Sequence, residues 1–176
     1  MRILAGRYKS HPLKTPKGST TRPTTSKIRE SLFNILQHQL ENARLLDLFA
    51  GSGAIGLEAL SRGAQSVTFV ENDKGAISCL KENLKTLHAE GTVIQSDVVT
   101  ALKRLAKQQA LFDIIFADPP YALEIAPVLE LIPPLLSPEG IVIVEQGKRT
   151  QLKPTSLQIT DQRSFGDTVL FFLHPK

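Results

Sequence analysis

Residues 45–63 read LLDLFAGSGAIGLEALSRG, and this stretch decides the fold class. Leu45 to Phe49 is a short apolar run suited to a buried strand. Gly51, Gly53 and Gly56 follow at G-x-G-x-x-G spacing. Ala54 to Ser61 offers helix formers up to Gly63, a helix stop. Strand, glycine turn and helix in direct succession open a βαβ unit, and the glycines let the backbone approach a ligand closely.

Moving outward, short apolar runs alternate with amphipathic ones. Strands are predicted at Leu45–Phe49, Val67–Val70, Val93–Gln95, Phe112–Ala117 and Ile141–Val144. Helices are predicted at Ile28–Gln39, Ala54–Ser61, Asp73–His88, Val98–Lys107 and Ile125–Leu136. The first helix would turn Ile28, Leu32, Ile35, Leu36 and Gln39 to one face, with Ser26 as its cap and Pro23 as its boundary. The last carries Pro127 near its start, and Pro133-Pro134 end or bend it. Strands alternating with helices mean a mostly parallel sheet covered on both faces. The tail breaks the rhythm. Ser156–Gln162 and Thr168–Leu173 have no helix between them, only a turn with Gly166, and read as an antiparallel hairpin at the sheet edge. The fold class is α/β, a Rossmann-like sheet.

The chain has 176 residues, enough for one ordinary domain. No apolar run reaches the roughly 18 residues a membrane span needs. The N-terminus shows no apolar core of a signal peptide. The single cysteine, Cys79, excludes an internal disulfide and a cysteine-rich zinc site, so the expectation is a cytoplasmic protein. The net charge of +4 conceals an asymmetry. Residues 1–29 hold eight basic side chains and no acid, and the remainder is net −4. Such an arm is stable against its own repulsion when a polyanion lies on it, and nucleic acid is the natural partner. Residues 1–25 are therefore read as a basic, nucleic-acid-binding extension. Residues 26–176 form the domain it serves.

The glycine loop, with Glu71 twenty residues after Gly51 to grip a ribose, indicates an adenosine-type cofactor without choosing one. Asp47 bears on the choice. A carboxylate four residues before the first glycine is a poor neighbour for a pyrophosphate. It suits S-adenosylmethionine, which carries an ammonium and a sulfonium and no phosphate. Asp97, after the third strand, is a candidate for adenine contact and equally a helix N-cap.

The fourth strand runs directly into Asp118-Pro119-Pro120-Tyr121. Ligands of open α/β sheets bind beyond the carboxyl ends of the strands, at the switch point, so this tetrapeptide should face the glycine loop. An exocyclic amine of a nucleobase is a poor nucleophile because its lone pair is delocalised. Two acceptors aimed at its N–H bonds favour the geometry that attacks. The Asp118 carboxylate supplies one, and the Pro119 carbonyl, held by consecutive prolines, the other. Tyr121 offers a face on which a base stacks. No metal is needed.

With Arg2-Ile3-Leu4-Ala5-Gly6, Arg22-Pro23-Thr24 and Ile28 to Leu36 in order, the chain resembles the RsmD-type guanine-N2 methyltransferases of bacterial 16S ribosomal RNA. The resemblance covers essentially the whole chain. It implies a class I methyltransferase sheet and methyl transfer from S-adenosylmethionine to N2 of guanine 966, on an assembled small subunit, by a monomer. It implies that Asp118, Pro119, Pro120 and Tyr121 form the catalytic base site. Asp47, Phe49, Gly51, Gly53, Glu71, Asn72, Asp97 and Val98 would hold cofactor. Arg2, Arg7, Lys9, Lys14, Arg22, Thr24 and Arg29 would meet RNA. It also implies that residues 1–25 form an RNA-binding hairpin. One departure stands out: where the family often has Gly-Arg after Tyr8-Lys9, this chain has Ser10-His11-Pro12, so that hairpin should turn differently. His11 reads as a turn residue.

Three other readings compete. An adenine-N6 DNA or RNA methyltransferase shares the tetrapeptide chemistry, but a DNA enzyme that flips its base usually carries a larger recognition region than this chain has room for. An NAD-dependent oxidoreductase conflicts with Asp47 and lacks a second substrate domain. A non-catalytic RNA-binding factor would not need both motifs intact.

Overall fold

The computed structural model describes residues 1–16, 25–154 and 156–176. Its order is α1 (Ser26–Leu40), β1 (Arg44–Leu48), α2 (Ala54–Ser61), β2 (Ser66–Glu71), α3 (Lys74–Thr86), β3 (Thr92–Gln95) and α4 (Val98–Lys107). Then come β4 (Phe112–Ala117), a single turn α5 (Ala126–Leu129), β5 (Leu136–Gly147), β6 (Leu157–Phe165) and β7 (Thr168–Pro175). The seven strands lie in the order β3-β2-β1-β4-β5-β7-β6. The first five are parallel, and β7 pairs antiparallel with both β5 and β6. The chain reverses direction across the sheet between β1 and β4, which is where an open α/β sheet leaves a crevice.

Alternation along the central strands builds two cores. Leu45, Phe69, Ile114, Phe116, Ile141 and Ile143 face α1, α2 and α3. Leu46, Leu48, Val70, Ile115, Ala117, Val142 and Val144 face α4 and α5. A strand buried on both sides has no polar face, which is why these runs are apolar throughout. Asp47 is the exception, and it lies on the α2 side.

Some expectations shift. Thr25, not Ser26, caps α1, its hydroxyl accepting from the Ile28 N–H. The buried face of α1 is Ile28, Arg29, Leu32, Phe33, Leu36 and Leu40, whereas Ile35 and Gln39 point to solvent. The predicted helix 125–136 shrinks to one turn. Pro127 sits in that turn, and Pro133-Pro134 begin a short 3-10 turn ending at Leu135. Each proline removes a donor, so α-helix cannot propagate through this segment. The terminal hairpin forms with a two-residue turn, Gly166-Asp167, between the paired Phe165 and Thr168. Gly166 has φ 60°, as a primed hairpin turn requires at that place.

Residues 1–14 double back and lie on the domain. Arg2 and Pro12 form an antiparallel bridge, and Ile3 and Leu13 are buried with α1 and α2. Ser10 takes φ 70°, in the left-handed region. The segment is fastened to α2 by Glu58, whose two carboxylate oxygens accept from the Leu4 and Ala5 N–H groups at 2.8 and 3.0 Å. Ser61 adds a bond from its hydroxyl oxygen to the Tyr8 N–H, 2.9 Å. No helix among the described residues is long and apolar enough to cross a membrane.

Candidate active site

The parallel register brings the key side chains together. Leu48 lies opposite Ala117, and Ala117 opposite Val144. The next residues, Phe49, Asp118 and Glu145, therefore stand side by side at the carboxyl edge. Alternation turns Asp118 and Glu145 to the same side of the sheet as Asp47.

The turn after β1 is tight. Phe49, Gly51 and Gly53 have φ of 60°, 56° and 85°, and Gly53 caps α2. Phe49 is a bulky residue in the left-handed region, a local strain of the kind that collects at functional sites. A Cβ on Gly53 would overlap Leu80 of α3, so glycine is required there by space as well as by φ. The Glu71 carboxylate crosses from β2 to accept from the Gly51 N–H at 2.8 Å, and takes the Asn72 and Asp73 N–H groups at 2.8 Å each. The acid and the glycine loop are thus one hydrogen-bonded unit. Asp97 caps α4 through the Thr100 N–H at 2.9 Å, and this bond holds its carboxyl below the usual range. Val98 is buried behind it.

Asp47 is 2% exposed and accepts from the Gly56 N–H at 3.0 Å. Burial pushes its carboxyl up to about 7, against that hydrogen bond and with help from the charge of Glu71. Asp118 is pushed up to about 8 by burial first, and then by the negative charges of Glu145 and Asp47. Three carboxyl groups converge where ionising them together is unfavourable. A cation placed among them relieves the repulsion. Pro119 is buried and Pro120 exposed, while Tyr121 is 83% exposed, its ring beside Gly147 at the end of β5.

The basic residues divide. Arg2, Arg7 and Lys9 are exposed on the N-terminal segment, with the Arg7 guanidinium 4.6 Å from the centre of the Tyr8 ring. Lys14 is exposed and paired with Glu82. Arg22 and Thr24 lie outside the described residues. Arg29 corrects the expectation of an RNA contact: it is wholly buried. Its Nη2 donates to the Arg2 carbonyl at 2.9 Å, and its Nη1 lies 4.0 Å from Glu58. A buried guanidinium at the base of the N-terminal segment holds that segment and meets no phosphate.

A family model described as Conserved hypothetical protein 95 matches residues 1–174. The chain is 40% identical over 177 residues to "Putative rRNA methyltransferase YlbH" of Bacillus subtilis, covering 96% of this chain and 95% of that one. The chain belongs to the RsmD-type family of ribosomal RNA methyltransferases. It is also 42% identical over 122 residues to "Ribosomal RNA small subunit methyltransferase D" of Escherichia coli, a match spanning 69% of this chain and 60% of that relative. The solved structure of a hypothetical protein from Thermus thermophilus superimposes with TM-score 0.87 at 31% identity, covering 98% of each chain.

The RsmD-type family is dependent on S-adenosylmethionine, and the chemistry of the donor set fits that molecule. Carboxyls with raised proton affinity line the place where its two cationic centres would lie. Two participants escape a reading of the sequence. Glu145 follows the apolar run Ile141–Val144 within β5, near the carboxyl edge of the sheet, a position that could have flagged it. Glu58 gives no signal of its role, because the groups it holds at Leu4, Ala5 and Arg29 are 29 or more residues distant in sequence.

Proposed function

We propose that this chain transfers a methyl group from S-adenosylmethionine to N2 of a guanine in 16S ribosomal RNA, at guanine 966, in an assembled small subunit. The observation that carries the reading is the meeting of Asp118-Pro119-Pro120-Tyr121 with the glycine loop across the β1–β4 switch point, among carboxyls that favour a cation. The name of the Escherichia coli relative, a small-subunit ribosomal RNA methyltransferase, supports the substrate class. We take the protein to act in the cytoplasm as a monomer without a metal.

In this reading Asp47, Phe49, Gly51, Gly53, Glu71, Asn72, Asp97 and Val98 hold the cofactor, which supplies an electrophilic methyl group when bound. Asp47 faces its ammonium end and Glu71 its ribose. Asp118, relieved of its proton by the nearby positive charge, accepts one N–H of the guanine amine. The Pro119 carbonyl accepts the other, and Tyr121 stacks on the base. The lone pair so exposed would form the N–CH3 bond in line as the methyl–sulfur bond breaks to leave S-adenosylhomocysteine, and the proton then surplus on the nitrogen would pass to the Asp118 carboxylate; the protein's contribution is position and electrostatics. Arg2, Arg7, Lys9, Lys14, Arg22 and Thr24 meet the RNA backbone and entry path. Few of these contacts read sequence, which suits recognition of a folded RNA by shape.

The test is incubation of unmodified small subunits, and separately of naked 16S RNA, with methyl-labelled S-adenosylmethionine, followed by nucleoside analysis. N2-methylguanosine at position 966 is expected, with subunits the better substrate. N6-methyladenosine would overturn the guanine assignment.

A further inference from the structure

Asn83 lies on α3, 3% exposed, outside every set of residues discussed so far. Its side chain has two hydrogen-bond faces and both are filled from distant parts of the chain. Oδ1 accepts from the Lys14 N–H at 2.8 Å. Nδ2 donates to the Lys14 carbonyl at 3.0 Å and to the Ser52 carbonyl at 3.0 Å. Ser52 is the residue between Gly51 and Gly53. Lys14 lies in the basic N-terminal segment, two residues before its described stretch ends. One turn earlier on α3, Leu80 fills the space beside Gly53. The same helix face thus touches the cofactor loop twice and the basic segment once.

The other fastenings of the segment do not reach the loop. Glu58 and Ser61 hold residues 4–8 to the body and far end of α2. Asn83 joins segment and loop through one amide with both donors committed. A shift of the Ser52 carbonyl by about an ångström breaks a bond or draws the amide with it, and the amide is gripped on two sides by Lys14. Buried polar groups left unmatched are costly, so the three groups move as a unit.

We propose that Asn83 is a positioning residue that couples the cofactor loop to the basic N-terminal segment, so that filling the loop orders the segment at Lys14 and RNA on the segment tightens the loop. The two effects are equal by linkage. The RNA half rests on the function proposed above; the loop half does not.

The experiment uses the full chain with S-adenosylhomocysteine as probe. Amide hydrogen exchange is read at Lys14 with and without the probe. In the wild type the probe slows exchange at Lys14 by about tenfold, as expected when local opening is suppressed. In Asn83→Ala the probe still binds, and the Lys14 response is lost. Probe affinity is then measured with and without unmodified small subunits. The wild type binds the probe at least about fivefold more tightly when subunits are present. Asn83→Ala loses this gain and raises KM for subunits, with kcat within a few-fold. A role confined to folding stability would lower the melting temperature and leave the gain intact.

If Asn83→Ala does not fold, Lys14→Pro and Lys14→Ala replace it. Both lack the lysine side chain, but proline alone removes the N–H that donates to Asn83. At saturating subunits, with the loss of the Lys14 charge common to both variants, the gain should be larger in the alanine variant than in the proline one, where it vanishes. A Lys14 response that survives in Asn83→Ala, equal gains in the two Lys14 variants, or a wild type with no Lys14 response overturns the coupling. A wild type whose Lys14 amide responds to the probe, but whose probe affinity ignores subunits, overturns the RNA reading and leaves the link to the loop standing.

Discussion

Replacing Asp118 by asparagine should make the protein more stable and useless as a catalyst. Asparagine keeps the shape and cannot ionise. The Asp118 carboxyl is raised from 3.8 to about 8, chiefly by burial and then by Glu145 and Asp47. Between those values the unfolded chain has lost this proton and the folded one keeps it. Folding then takes up a proton, so stability falls as pH climbs from about 4 to about 8, and levels off above. At ~1.4 kcal/mol per pH unit the whole displacement is worth at most about 6 kcal/mol. Asp118 is partly exposed and shares its titration with two other acids, so about 2 kcal/mol is a fair share for this position. For a domain of this size that is a gain of roughly 4–8 °C in Tm for Asp118→Asn at pH 8.5, shrinking towards zero at pH 4. Scanning calorimetry of both cofactor-free proteins from pH 4 to pH 9 measures it. Transfer should fall by about 100-fold or more, as when a group tuned to the transition state is lost. A Tm difference that does not grow with pH, or a wild type more stable than the variant at pH 8.5, would refute the electrostatic account.

Binding of S-adenosylmethionine at pH 6.5 should release protons from Asp47 and Asp118, and S-adenosylhomocysteine, lacking the sulfonium, should release fewer; titration calorimetry in buffers of different ionisation enthalpy reads the difference. Glu58→Ala strips Arg29 of its counter-charge and the Leu4 and Ala5 N–H groups of their acceptor. It should cost about 3–5 kcal/mol in urea melts and expose residues 1–14 to protease. Arg44 grips Asp113 by Nε and Nη2 at 3.0 and 2.9 Å, but the two side chains are 40% and 33% exposed. Asp113→Asn should therefore cost under about 1 kcal/mol. The Arg44 guanidinium holds the Asp113 carboxyl well below its usual range, so the contribution is present above pH 4 and lost as pH falls further. Gly53→Ala forces an L side chain to φ 85° against Leu80 and should cost about 1–3 kcal/mol, with S-adenosylhomocysteine binding lost in calorimetry.

What can be read in the sequence is what local chemistry determines. Ala54–Ser61, Val98–Lys107 and Phe112–Ala117 form with the expected bounds, because each is a periodic or apolar run closed by a cap, a glycine or a charge. The mostly parallel sheet follows from alternation, and the rule that ligands bind at the switch point led to the expectation that the glycine loop and Asp118 face each other. Reading fails where a residue's environment is made by distant chain. Arg29 has the look of a solvated charge, and nothing near it in sequence announces Glu58. The α1 face departs from expectation for the same reason: a stripe that admits Ile35 and Gln39 but omits Arg29 and Phe33 is the sensible choice until a buried cation is allowed. Pro127, Pro133 and Pro134 are visible in the sequence, but their joint effect exceeds that of each alone: one proline bends a helix, whereas three in eight positions leave too few donors to continue it.

Glu145 shows why the site's electrostatics lie beyond sequence. As an acid after Ile141–Val144 it could be capping a turn or meeting solvent. Its significance comes from register: Ala117 opposite Val144 sets it beside Asp118, and Leu48 opposite Ala117 sets both above Asp47. Three acids drawn from three strands then share one low-dielectric pocket. Any one of them, taken singly, would need no special explanation. Together they make the cofactor-free state electrostatically unfavourable and leave protons on groups that must later accept hydrogen bonds. On the proposed function, a cation arriving among them would favour loss of those protons and raise the fraction of Asp118 in its accepting form. An amine bound without donor would then more often meet a protonated Asp118, which offers a hydrogen where an acceptor is needed. On that reading the productive order is donor before base, set by the position of the carboxyls along three neighbouring strands.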